Sequence, residues 1–177
     1  MTDLHVHSTF SDGKNTPEEI VLAAIGKGMK RLGISDHSYT FFDESYCVPQ
    51  KRIDEYKACI AALKEKYADK IELLCGIEQD IFSSEPTDGY DYVIGSVHYI
   101  FINGEYISVD HTEEILRDAV NRHFGGDFLA FAEVYWATAA QIAEKTGADI
   151  IGHLDLISKF NEGVQGFLRR NSCASCV

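Results

Sequence analysis

The sequence predicts an α/β fold in which a parallel sheet is covered by helices. Two observations predict it: short apolar strands alternate with helical segments along the chain, and side chains that bind metals recur where those strands end. Alternating strands and helices favour right-handed βαβ units and a parallel sheet. With 177 residues, the chain has the length of one domain.

The first three elements follow from local signals. Leu4 and Val6 alternate with two histidines, which is the period-two pattern of a strand. The motif Thr16-Pro-Glu-Glu is a capping box with proline at the first helical position, and it predicts a helix from Pro17 to Lys27. A short second strand is expected from Arg31 to Ser35.

The remaining elements continue the alternation, with a small hairpin or flap expected around Gly104. Further helices are expected at residues 49–67, 112–124 and 127–146, and further strands at residues 71–76, 92–96 and 148–152.

Composition argues against several classes of protein. Apolar residues make up 45% of the chain and charged residues 25%, which are globular values. No apolar run is long enough to span a membrane, and charged residues begin at Asp3, so no secretory leader is expected and the expected location is the cytoplasm. Five irregularly spaced cysteines fit reduced thiols better than a disulfide framework.

The charge of the chain argues against one class of partner. A net charge of −12 repels phosphate backbones, so broad binding to nucleic acids is not expected. A small anionic substrate is still compatible with this charge, because bound divalent cations would invert the local field.

Seven residues of metal-binding type stand near the ends of predicted strands. They are His5, His7, Asp12, His37, Glu78, His98 and His153. In parallel sheets of this kind, functional side chains gather at the carboxyl ends of the strands. We therefore interpret the set as one cluster of metal ligands, which points to a metal-dependent hydrolase.

Most of these residues also have a simpler interpretation, and His98 or His153 taken alone is more often a core or surface histidine than a ligand. His5 and His7 leave the same face of a strand and can share an ion, but an isolated pair of this kind is more often two hydrogen-bonded histidines. Asp12 alone is a turn residue, and Asp36-His37 alone is a helix cap followed by a surface histidine. Glu78 is the exception, because it follows an apolar strand. A buried carboxylate there is costly when unpaired, but it is compensated when it bridges two cations.

Taken in order, the motifs H-x-H, S-D-G, D-H, G-x-E, S-x-H and G-H-x-D resemble those of the PHP superfamily, which is named for polymerase and histidinol phosphatase. The resemblance runs from Asp3 to Phe160. The segments Ile94-Gly-Ser-Val-His98 and Gly152-His-Leu-Asp155 are most typical of its histidinol-phosphatase branch. The resemblance implies an incomplete, distorted TIM-like barrel over residues 1–160.

The resemblance also implies two or three divalent ions of zinc, manganese or iron. The implied ligands are His5, His7 and Glu78 for the first ion, Glu78, His98 and His153 for the second, and Asp12 with His37 for the third. Glu78, Asp12 and His37 are the implied catalytic residues, because the bridged pair of ions activates water and the third ion grips the phosphate. Lys159 is a weaker candidate for binding the substrate, and Asp155 is a candidate partner that orients a histidine.

The implied activity is hydrolysis of L-histidinol phosphate, a small phosphorylated substrate, late in histidine biosynthesis. The alternatives are another phosphoesterase of the superfamily, such as a nucleotide phosphatase or a phosphodiesterase, and a metal-binding remnant without catalysis.

One expected motif is missing. The family ends with a glycine-rich strand end that carries an aspartate and a histidine, and neither residue type occurs after Phe160. Residues 161–177 also lack periodicity and are expected to form an irregular tail, as in a truncated gene or a shifted reading frame. An open barrel edge favours a homo-oligomer or a partner chain that covers it.

Overall fold

The computed structural model describes residues 1–160, so the predicted irregular tail at 161–177 lies outside the described residues. The chain divides into two compact units. The first comprises Met1–Ser96 and Ile142–Gly152, and the second comprises Val97–Gln141 and the described residues that follow Gly152. In the described part of the chain, no helix is long and apolar enough to cross a membrane.

The elements alternate along the chain largely as predicted. The strands are β1 (Thr2–Asp3), β2 (Arg31–Ile34), β3 (Glu72–Asp80), β4 (Tyr92–Ser96), β5 (Tyr99–Ile102), β6 (Glu105–Ser108) and β7 (Ile150–Ile151). The helices are α1 (Pro17–Gly26), α2 (Ile53–Lys66), α3 (Glu113–Phe124), α4 (Phe128–Ala139) and α5 (Ile142–Thr146).

A five-stranded parallel sheet forms the first unit. Its strand order is β1-β2-β3-β4-β7, and every pairing is parallel. This topology confirms the predicted α/β class. Because all the strands run in one direction, their carboxyl ends share one edge of the sheet, and the residues after β1 and β2 come together there.

The start of α1 shows the predicted capping box. Thr16 Oγ1 accepts a hydrogen bond from the backbone N–H of Glu19, and the Glu19 carboxylate accepts one from the backbone N–H of Thr16 at 2.8 Å. The α2 helix begins later than predicted, because a 3-10 turn at Gln50–Arg52 precedes it.

Helices α1 and α2 cover one face of the sheet. Val21, Ile60 and Ile34 are fully buried there, and each such side chain contributes about 1.5–3 kcal/mol of hydrophobic free energy. The hydroxyl of Tyr56 on α2 lies 2.8 Å from the Ile34 carbonyl and 2.9 Å from the Gly76 carbonyl. It thereby links α2 to both β2 and β3.

Tyr92 ties four strands together. Its hydroxyl donates a 2.6 Å hydrogen bond from β4 to the carbonyl of Leu4, next to β1. To reach that carbonyl, the ring crosses β3 and β2 where Gly76 and Gly33 lie, and a Cβ at either glycine would overlap the ring. Glycine at these two positions therefore makes room for the aromatic ring.

Two predicted strand boundaries were wrong. The strand expected to contain His5 and His7 is assigned only at Thr2–Asp3, although the backbone N–H of Ser35 still donates to the Val6 carbonyl at 2.8 Å. The third strand, expected to end at Gly76, continues to Asp80 because β4 pairs with it as far as Ser96. Glu78 therefore lies inside a strand and not after it.

The helix predicted at 127–146 was also wrong, since two helices, α4 and α5, occupy this segment. The two helices belong to different units. Ile142 and Thr146 of α5 pack so closely over β4 that a Cβ at Gly95 would overlap them. No proline or glycine marks the break in the sequence.

The second unit contains the predicted hairpin. Strands β5 and β6 pair antiparallel, and they are joined by Asn103 and Gly104 with φ angles of 50° and 88°. Two consecutive residues with positive φ form the tight turn that matches the twist of paired strands. In the same unit, Phe131 of α4 packs against Phe124 of α3, with ring centroids 5.5 Å apart.

Candidate metal centre

Five of the seven predicted ligands converge in the first unit. They are His5 and His7 after β1, Asp12 in the loop before α1, His37 after β2, and Glu78 in β3. Glu78 is the centre of the group and has no exposed surface. A buried carboxylate of this kind is stable only when charges or donors surround it.

Three imidazole rings surround one oxygen of Glu78. Its Oε2 atom lies 3.0 Å from His5 Nε2, 3.0 Å from His7 Nε2 and 3.1 Å from His37 Nδ1. His5 and His7 follow β1, whereas His37 follows β2. The three rings therefore come together only in the folded sheet.

The backbone between β2 and β3 sets the position of Glu78 beside His37. The N–H of Glu78 donates to the Asp36 carbonyl at 3.0 Å, and the N–H of Ser38 donates to the Glu78 carbonyl at 2.9 Å. His37 is 7% exposed, so its interpretation as a surface histidine was wrong.

The second oxygen of Glu78 has its own partner. Ser96 at the end of β4 donates a 2.7 Å hydrogen bond from Oγ to Glu78 Oε1. One oxygen of the carboxylate is thus held by β4, while the other faces the histidines. This hydrogen bond fixes the plane of the carboxylate.

His7 is oriented by Asp12. The Nδ1 atom of His7 lies 2.9 Å from Asp12 Oδ1, within hydrogen-bonding distance, and Nε2 points to Glu78. The other ring nitrogen of His7, Nε2, is buried and lies 3.0 Å from Glu78 Oε2. In histidines that bind metals, one ring nitrogen commonly contacts a carboxylate and the other, once deprotonated, is the ligand.

Asp12 also faces His37. The distance from Asp12 Oδ1 to His37 Nε2 is 3.8 Å, which is too long for a hydrogen bond. His7, Asp12 and His37 each offer one ligand atom within 4.8 Å of the others. The side chain of Asp12 is 48% exposed, so this part of the group is open to solvent.

The spacing of these atoms fits a divalent cation. Ligand bonds of about 2.0–2.1 Å, with angles between about 90° and 140°, place two ligand atoms roughly 2.9–3.9 Å apart. The distances from Glu78 Oε2 to the three imidazoles, and from Asp12 to His37, fall in this range. Imidazole and carboxylate ligands suit zinc, manganese and iron.

The electrostatics of the metal-free group agree with this fit. Burial lowers the pKa of His7, but the hydrogen bonds to Asp12 and Glu78 and their negative charges raise it more, to about 9. The hydrogen bond with His7 lowers the pKa of the Asp12 carboxyl. A proton on His7 therefore balances the carboxylates when no cation is bound.

The other two predicted ligands lie in the second unit. The rings of His98 and His153 are 5.1 Å apart between centroids, and His98 is 5% exposed. Their predicted sharing of an ion with Glu78 stays a prediction.

The two weaker candidates also lie in the second unit. Lys159 Nζ donates a 2.8 Å hydrogen bond to the Asp110 carbonyl, and it also lies 3.4 Å from the Asp110 carboxylate. Asp155 precedes a 3-10 turn, where its carbonyl accepts from the N–H of Ser158. The roles assigned to Lys159 and Asp155 stay predictions.

Two polar residues beside the centre were not identified from the sequence. In the sequence, Ser96 is only part of the S-x-H motif, and Asp36 is only a possible cap. Both are fully buried and hydrogen-bonded in the structure. Their positions at strand ends beside ligands are the signal that could have found them.

The PHP domain family matches residues 3–172. This chain belongs to the PHP domain family. A protein described as a probable histidinol-phosphatase from Deinococcus radiodurans is 29% identical over 175 residues, which cover 90% of this chain and 62% of that protein. This PHP-domain chain therefore spans less than two thirds of that relative. The predicted family resemblance is confirmed.

Two crystal structures share the fold. The putative histidinol phosphatase hisK from Listeria monocytogenes matches with a TM-score of 0.73 and 20% identity, over 96% of this chain and 76% of that one. The histidinol phosphate phosphatase from Lactococcus lactis, complexed with zinc, L-histidinol and phosphate, matches with a TM-score of 0.63 and 23% identity, over 94% of this chain and 66% of that one. These likenesses confirm the TIM-like barrel type of the sheet.

Proposed function

We propose that this chain is a metal-dependent phosphomonoesterase that converts L-histidinol phosphate and water into L-histidinol and phosphate, a late step of histidine biosynthesis. The convergence of three imidazoles at 3.0–3.1 Å on one oxygen of the buried Glu78 carries the proposal. The Deinococcus relative and the Lactococcus structure with zinc, L-histidinol and phosphate support this substrate.

The proposal assigns roles to the converging residues. His5, His7 and Glu78 would hold one divalent ion, and Asp12 with His37 would hold another. Divalent ions bound there would lower the pKa of an attacking water and neutralise charge on the phosphoryl oxygens. The number of ions, two or three, and their identity as zinc, manganese or iron are part of the proposal.

The side chains themselves would orient the reaction. The hydrogen bond from Ser96 holds Glu78 in one plane, and the contact with Asp12 sets the direction of the His7 ring. Because Asp12 is half exposed while Glu78 is fully buried, a phosphate monoester would approach from the Asp12 side. His7 Nε2 has to lose its proton before it can bind an ion.

Phosphate release from L-histidinol phosphate tests the proposal. The full chain would be loaded separately with zinc, manganese and iron(II), and free phosphate would be measured over time. Glu78→Gln should lower the rate by more than about 100-fold, because it removes a charged ligand. Glu72→Gln is the matched control on the same strand, since Glu72 pairs with Arg31 at the surface and should leave the rate unchanged.

Two other results would contradict the proposal. Faster hydrolysis of nucleoside monophosphates or of bis(p-nitrophenyl) phosphate than of L-histidinol phosphate would favour another phosphoesterase activity. Binding of ions without release of phosphate from any of these substrates would favour a metal-binding protein without catalysis.

A further inference from the structure

Asp36 has a buried carboxylate that the proposed reaction does not use. Its side chain has no exposed surface, and it lies between the end of β2 and His37. Asp36 Oδ1 accepts a 2.7 Å hydrogen bond from the backbone N–H of Ser8 and another from Ser11 Oγ, while Oδ2 accepts a 2.7 Å hydrogen bond from Ser8 Oγ.

Ser8 and Ser11 are the two ends of a tight turn. The N–H groups of Ser11 and Gly13 both donate to the Ser8 carbonyl, at 3.1 Å and 2.9 Å. A Cβ at Gly13 would overlap the His7 carbonyl, so the turn closes directly on the backbone of His7. Asp12 lies between Ser11 and Gly13, the two residues whose N–H groups donate to the Ser8 carbonyl.

The backbone of Asp36 makes a second connection. Its carbonyl accepts the 3.0 Å hydrogen bond from the N–H of Glu78. The side chain of Asp36 thus contacts the turn that carries Asp12. Its backbone contacts the strand that carries Glu78, and His37 is the next residue in the chain. All three segments of the metal centre meet at this one residue.

The hydrogen bonds of Asp36 distinguish it from a ligand. Three donors occupy its two oxygens, and all three come from the turn at Ser8 and Ser11. Asparagine at position 36 would keep one oxygen acceptor and replace the other oxygen with an NH2 donor. The Ser8 hydroxyl would then have to reorient, because it could no longer donate at that side. A buried carboxylate with three donors from one turn holds that turn in a single conformation.

We propose that Asp36 is a positioning residue that holds Asp12 beside His7 and His37, and so sets the affinity of the ion that Asp12 and His37 would hold. The proposal rests on the proposed function, since it requires the metal centre. Partners that orient ligands typically change metal affinity by about 10–100-fold. Replacement of Asp36 should therefore weaken binding of the ion at Asp12 and His37 most, and binding of the ion beside His5 less, because Asp12 also orients the His7 ring.

Titration with zinc alone tests this proposal on the full chain. Zinc would be added to the metal-free protein by isothermal titration calorimetry, with bound zinc per chain measured after gel filtration. Asp36→Asn should weaken binding of one zinc by about 10–100-fold, or abolish it, and should weaken binding of the remaining zinc by a smaller factor. Ser11→Ala, which removes one of the three donors, should weaken the same zinc by a smaller factor.

Tyr56→Phe is the control for stability. The Tyr56 hydroxyl is buried between the same two strands, at the Ile34 and Gly76 carbonyls, and phenylalanine keeps the ring that lies 5.3 Å from the Phe10 ring in the turn. This variant should lower the melting temperature and bind zinc like the unmodified protein. Equal zinc binding by the unmodified protein, Asp36→Asn and Ser11→Ala would overturn the role of Asp36, as would equal weakening by Tyr56→Phe.

The two proposals fail differently. An unmodified chain that binds zinc but releases no phosphate would contradict the proposed function, while the comparison of zinc affinities would still decide the role of Asp36. An unmodified chain that binds none of zinc, manganese and iron(II) would overturn both. If Asp36→Asn does not fold, the result with Ser11→Ala decides, because this milder variant keeps the carboxylate in place.

Discussion

Ser96 Oγ donates a 2.7 Å hydrogen bond to Glu78 Oε1, from the end of β4 to the middle of β3. The hydrogen bond leaves Oε2 facing the three imidazoles, so the strand pairing and the orientation of the carboxylate are coupled. A shift of β4 relative to β3 would turn the carboxylate away from the histidines.

Ser96→Ala should therefore weaken metal binding without unfolding the protein. The loss of an orienting partner typically lowers metal affinity by about 10–100-fold. Zinc affinity measured by competition with a chelator checks this expectation. Ser83→Ala is the matched control, because Ser83 donates to the Tyr39 carbonyl and not to a ligand. Equal zinc affinity in the two variants would show that the hydrogen bond from Ser96 does not orient Glu78.

The sequence allowed the order of the elements to be predicted, because apolar periodicity and the capping box at Thr16 are local signals. It also allowed His5, His7, Asp12, His37 and Glu78 to be grouped, since parallel strands end at one edge of a sheet.

The boundaries that failed depend on partners distant in sequence. The length of β3 is set by β4 through the pairing of Asp80 with Ser96. The residues after Gly76 are mostly polar, so the sequence pattern did not indicate that the strand continues. The break between α4 and α5 has no local signal. The roles of Asp36 and Ser96 depend on hydrogen bonds to residues 28 and 18 positions away.

The protonation of His7 predicts a pH dependence for the metal-free protein. Its pKa rises from 6.5 to about 9 in the folded state. A raised pKa in the folded state stabilises the fold fully below pH 6.5, and this contribution is lost as the pH rises through 9. The free energy of unfolding in chelator should therefore fall between these pH values, as measured by urea unfolding.

His7→Gln is the control for this pH dependence. In this variant the fall in stability over the same pH range should be smaller, because the titrating ring is absent. Zinc affinity of the unmodified protein should rise with pH below 9, since binding at His7 displaces a proton. An unchanged pH profile in His7→Gln would assign the titration to another group.

The packing of Tyr92 over Gly76 predicts a stability effect. Gly76→Ala should lower the free energy of unfolding by about 1–3 kcal/mol or more, because its Cβ would overlap the Tyr92 ring. Gly26→Ala is the control: a Cβ there has no neighbour within 4 Å, and alanine is the better helix former. Urea denaturation compares the two variants, and equal stabilities would contradict the close packing of Tyr92.

Removal of the metal should destabilise the fold. Zinc at 100 times its dissociation constant adds about 2.7 kcal/mol to the folded state. In a domain of this size, that corresponds to a rise of roughly 5–11 °C in melting temperature. Thermal denaturation with zinc and with chelator measures the difference. The rise should be smaller in Glu78→Gln, and equal melting temperatures of the unmodified protein in zinc and in chelator would contradict metal binding by the fold.

Anomalous diffraction at the zinc edge from crystals of the zinc-loaded protein tests the central claim most directly, because it locates the ion among its ligands. We expect a peak about 2 Å from Glu78 Oε2 and from the facing ring nitrogens of His5 and His7. Zinc-loaded crystals without a peak within about 3 Å of Glu78 Oε2 would contradict the claim that these residues form a metal centre.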